Sequence, residues 1–98
     1  MSQKGDCMKL VVTVVGVDRV GIIAGVSNIL ADHKVNILSI NQTILEGLFN
    51  MIMMCETETD DAKDLTFIQD ALSELGKTLG VEIRAQHADI FLSMHRVG

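Results

Sequence analysis

Along this chain the spacing of apolar residues switches repeatedly between a period of two and a period near 3.6. That succession restricts it to very few folds. Residues 9–15 read KLVVTVV, rich in β-branched side chains and closed by Gly16, which marks a strand. Its apolar run is nearly continuous, as in a strand covered on both faces. After the loop Gly16-Val17-Asp18-Arg19-Val20-Gly21, Ile22, Val26, Ile29 and Leu30 recur at helical spacing, with Asn28 and Asp32 on the far side. Asp18 is placed to cap this helix, and His33-Lys34 to meet the negative end of its dipole. Residues 37–45 and 48–57 alternate as two strands around the tight turn Glu46-Gly47. In the first, Leu38, Ile40 and Ile44 share a face opposite Ser39, Asn41 and Thr43; in the second, Leu48, Ile52 and Met54 oppose Phe49, Met51, Met53 and Cys55. Thr59-Asp60-Asp61 opens a second helix, in which Leu65, Ile68, Leu72, Leu75 and Leu79 form the clearest stripe before Gly80 ends it. Val81, Ile83 and Ala85 then alternate with Glu82, Arg84 and Gln86 in a fourth strand.

The order β-α-β-β-α-β with right-handed crossovers predicts an α+β, ferredoxin-like sandwich. It has a four-stranded antiparallel sheet with both helices on one face. Residues 1–8 are expected to be a flexible N-terminal segment, 9–88 the domain, and 89–98 a C-terminal extension. That extension, with Ile90, Phe91 and Met94, is read as a tail or short helix folded back on the domain. The face without helices is expected to carry Phe49, Met51 and Met53 with neighbours from the first strand. Such a surface is too apolar to be left in water, so the tail or a second copy has to cover it. A symmetric homodimer burying roughly 600–800 Å² per subunit is the expected solution.

Apolar residues make up 48% of the 98, which argues against disorder, and one core of this size is thin enough to profit from a partner. A net charge of −5 without any Lys/Arg run disfavours nucleic acid and anionic membrane as partners. No apolar run spans a bilayer, and residues 1–9 carry no signal-peptide core. Cys7 and Cys55 are too few and too far apart for a disulfide framework or a zinc site; the reading is a reduced, cytoplasmic protein with Cys55 as a small buried hydrophobe. His33, His87 and His95 are too scattered to form a metal set, and no cofactor is expected.

The first loop suits a zwitterion. A helix N-terminus presents unpaired N–H groups and partial positive charge, which hold a carboxylate. Gly21 lets a ligand approach the backbone, Asp18 can hold an ammonium group, and Asn36 supplies a donor and an acceptor. Each also has an ordinary structural role: Asp18 as a cap, Gly21 in tight packing, Asn36 in a turn. Arg19 reads more readily as a solvated charge than as a ligand contact.

The stretch Gly16-Val17-Asp18-Arg19-Val20-Gly21-Ile22-Ile23-Ala24, followed by Leu30-Ala31 and Val35-Asn36-Ile37, resembles the signature of ACT domains. Ile90-Phe91 with Met94-His95-Arg96 is similar to the ending of a group of stand-alone ACT proteins of bacteria and archaea. The resemblance implies amino-acid-responsive regulation, in which two copies pair and an amino acid lies at their interface beside the loop after the first strand. The matching positions are Asp18, Gly21 and Asn36; Gly16 and Arg19, in the same loop, complete the expected ligand-binding set. Val20 stands where many members carry Pro.

The expectation is therefore a regulatory small-molecule sensor and not an enzyme. Its alternative is a protein-protein interaction or dimerisation module without a small-molecule ligand, docking on a protein target. Acylphosphatases share the element order, and Arg19 with Asn41 mimics their catalytic pair, but Asp18 beside Arg19 would repel a phosphate. Metal-carrier domains of this topology need a Cys-x-x-Cys in the first loop, which this sequence lacks.

Overall fold

The changes of period become elements in the expected order: β1 (Met8–Val17), α1 (Ile22–Asp32), β2 (Val35–Leu45), β3 (Leu48–Thr57), α2 (Ala62–Leu79) and β4 (Val81–His87). They are seen in a computed structural model that describes residues 8–17, 20–58 and 62–89. Asp18, Arg19, the expected helix start at Thr59-Asp60-Asp61 and the tail from Ile90 onward lie outside the described residues. The strands form one sheet in the order β2-β3-β1-β4, with every neighbouring pair antiparallel. Both helices pack on one face, α2 against β4 and α1 beside β2, so the fold is the ferredoxin-like α+β sandwich.

Local chemistry fixes the junctions. Glu46 and Gly47 both have positive φ, 53° and 81°, the signature of a type I′ turn whose twist matches a hairpin. α1 begins at Ile22, and the residue at its N-cap position is Gly21, left-handed at φ 93°; the expected cap, Asp18, lies outside the described residues. At its other end Lys34, at φ 59°, turns the chain straight into β2, which therefore starts at Val35, earlier than alternation alone suggests. Near its start β2 slips register between Ile37 and Ser39, so Leu38 is an extra residue in the ladder.

The face assignment inverts the one expected from sequence. Phe49, Met51, Met53 and Cys55 do not lie on the uncovered face; they are at most 3% exposed and point under the helices. Register explains this. Val14 pairs with Met51 and with Ile83, and Val12 with Met53 and Ala85, so these rows share one side of the sheet. The stripes of the two helices, Ile22, Val26 and Leu30 from α1 and Ile68 and Leu72 from α2, close over that side. The opposite face carries Val15, Val17, Leu48 and Ile52. The Cys55 thiol is fully buried, and desolvation pushes its pKa up to about 11.

The two edges of the sheet are built differently. β4 is short and carries Glu82 and Arg84, and the Gln69 side chain of α2 donates a hydrogen bond to the Ala85 carbonyl at 2.8 Å. β2 has 11 residues, none charged and none proline. Its Leu38, Ile40 and Ile44 are exposed although apolar. A long, uncharged edge of this kind is a template for another strand, whereas charges and a side-chain cap blunt an edge.

Candidate functional site

Gly16 ends the part of β1 that pairs with β4. A Cβ on it would stand 2.7 Å from Val81 Cγ1, so its missing side chain is accounted for by close packing on β4. Gly21 is different. A Cβ there would meet nothing within 4 Å, so space is free and only the φ of 93° demands glycine. The Gly21 carbonyl accepts the Gly25 N–H at 2.8 Å and starts the helical ladder. Gly21 offers no side-chain cap, which leaves the first-turn amides of α1 to be satisfied from outside the helix. Val20, fully exposed, and Ile23, 40% exposed, flank this end. A shallow cavity of about 460 Å³ adjoins the loop, lined by Val20, Lys77, Thr78, Leu79 and Gly80. Lys77 was not singled out from sequence: it sits far along the chain, and only the packing of the last turn of α2 beside the loop brings it near. It forms an exposed ion pair with Glu74 at 3.3 Å.

Asn36 lies on β2, exposed, and pairs with Glu56 of β3, whereas Gly16 pairs with Phe49. From Phe49 to Glu56 is seven residue steps of strand, about 23 Å at the usual rise. α1 carries the chain from the Gly21 end to the Asn36 end. Within one chain, therefore, the glycine loop and Asn36 sit at opposite ends of the molecule. At the Asn36 end a cleft of about 340 Å³ is lined by Asp32, His33, Lys34, Thr57, Glu58 and Asp64, a mixture of both charges. Among the described residues no group of three His, Cys, Asp or Glu side chains is placed to hold a metal ion. No described helix is long and apolar enough to cross a membrane.

Fold and loop together define the class: one ferredoxin-like sandwich with a glycine-capped helix at the mouth of the first strand. Residues 8–86 match the family model of the ACT domain, and the chain belongs to that family of generally regulatory ligand-binding modules. It is 45% identical over 89 residues to a UPF0237 protein of Methanosarcina acetivorans, covering 91% of this chain and 96% of that one. Among solved structures it is similar to an ACT domain protein from Streptococcus pneumoniae, with a TM-score of 0.75, 39% identity and coverage of 86% and 93% of the two chains. It also matches part of a formyltetrahydrofolate deformylase from Pseudomonas syringae, with a TM-score of 0.69 and 25% identity. There 85% of this chain covers 28% of the enzyme.

Proposed function

We propose that this protein is a cytoplasmic regulatory sensor that binds an amino acid where two copies of the chain meet, and that it acts by binding and not by catalysis. The observation that carries this reading is the separation of the glycine loop from Asn36. Two copies joined antiparallel through their β2 edges reverse one chain relative to the other. That reversal brings Asn36 of each chain to the end of the sheet that holds Gly21 of its partner. The long uncharged β2, beside a blunted β4, supports pairing at that edge. The ligand carboxylate then meets the first turn of α1, Asp18 faces the ammonium group, Asn36 from the other chain closes the pocket, and Gly16 and Arg19 border it. In the deformylase a domain of this fold is one part of a longer enzyme, which fits a module that reports on a small molecule to other machinery.

A thermal-shift screen against the twenty amino acids tests the reading. A ligand at a hundred times its dissociation constant adds about 2.7 kcal/mol, and each kcal/mol raises the melting temperature of a domain this size by about 4–8 °C. One amino acid or a small set is expected to give such a shift, and Asp18→Ala is expected to weaken it while leaving the dimer intact. No shift with any of the twenty contradicts the sensor and favours a module that only pairs or docks on a protein.

A further inference from the structure

The open face of the sheet is not used by the site described above, yet its composition is that of an interface. Val17 lies beside Leu48, Val15 beside Asn50 and Thr13 beside Ile52, three successive rows without a charge on the central strands. Val15, Val17, Leu48 and Ile52 are 41–59% exposed. The next row ends the patch: Val11 is only 1% exposed although it lies outside the core under the helices. Charge is confined to the flank, where Glu82 sits beside Val15 and Arg84 beside Thr13. An uncharged centre with a charged rim is the usual anatomy of a protein interface.

We propose that this face packs against the same face of another copy, stacking two β2-joined dimers into a tetramer. The first argument is charge. Glu82 and Arg84 stand in successive rows and already pair at 2.7 Å. A two-fold axis running across the strands between those rows sets Arg84 of each chain over Glu82 of the other, so the face complements itself. The second is area. Three rows across four strands cover about 400 Å² per chain, too little for a stable pair. Two chains sharing one sheet through β2 present about 800 Å², the share per partner of a standard interface. The tetramer therefore rests on the edge pairing proposed above.

Sedimentation equilibrium of the full chain tests this. The expected wild-type species has four chain masses. Ile52→Glu is expected to reduce it to two, with the circular-dichroism melt retained. Arg84→Glu is expected to do the same, and the exchange Glu82→Arg/Arg84→Glu to return four. A wild type of two chain masses that Ile52→Glu leaves unchanged overturns the stacking while the edge-joined sensor stands. A wild type of two that Ile52→Glu splits into single chains overturns both the tetramer and the edge pairing.

Discussion

Neighbouring residues on β3 have opposite fates, and that contrast is the sharpest consequence of the fold at the level of single side chains. Met53 is fully buried under the helices, whereas Ile52, one position earlier, is 42% exposed on the far side. Met53→Glu places an unpaired charge in the core and is expected to abolish cooperative folding in a denaturant melt. Ile52→Glu is expected to change the transition midpoint little. Gly21→Ala is expected to destabilise the domain by about 1 kcal/mol through φ alone, since its Cβ would touch nothing. The Cys55 thiol, with its pKa pushed from 9.0 to about 11, stays protonated in the folded chain while an unfolded chain loses the proton near 9. Its contribution to stability is thus complete below pH 9 and is lost as pH rises toward 11. A disulfide-exchange reagent at pH 8 is expected to leave Cys55 unmodified until denaturant is added.

Strands and helices were legible in the sequence because each carries its own period, and the hairpin because Glu46-Gly47 can supply two positive φ angles. Which face of the sheet meets the helices was less so. β1 is apolar on both sides, and so is β3, so neither breaks the tie. The discriminating signal lay elsewhere. Phe49, Met51, Met53 and Cys55 form the larger uninterrupted set, and the two-residue turn puts Phe49 on the side of Ile44. The slip at Leu38 left no mark in the alternation, so the sides taken by its neighbours along β2 could be fixed only by pairing with β3. At the element level the account predicts that Ile40→Lys, a charge on the unblunted edge, reduces the sedimenting species to single chains and leaves the circular-dichroism melt in place. The matching change on β4, Gln69→Ala, removes the hydrogen bond to Ala85 and is expected to leave assembly unaltered.

At the scale of the whole molecule the glycine loop and Asn36 stood out in the sequence as candidates, by residue type and by resemblance to the ACT signature. Their separation did not, because it depends on α1 crossing the sheet from one end to the other. A sequence lists site residues without saying which copy of the chain each comes from. Here one chain cannot bring them together, and the proposed role of assembly in binding rests on that separation. The most direct test is titration calorimetry of the amino acid found by thermal shift against the wild-type chain and against Ile40→Lys. The account predicts saturable heat for the wild type and none for the edge variant held as folded single chains. Binding of undiminished affinity by those single chains would contradict it.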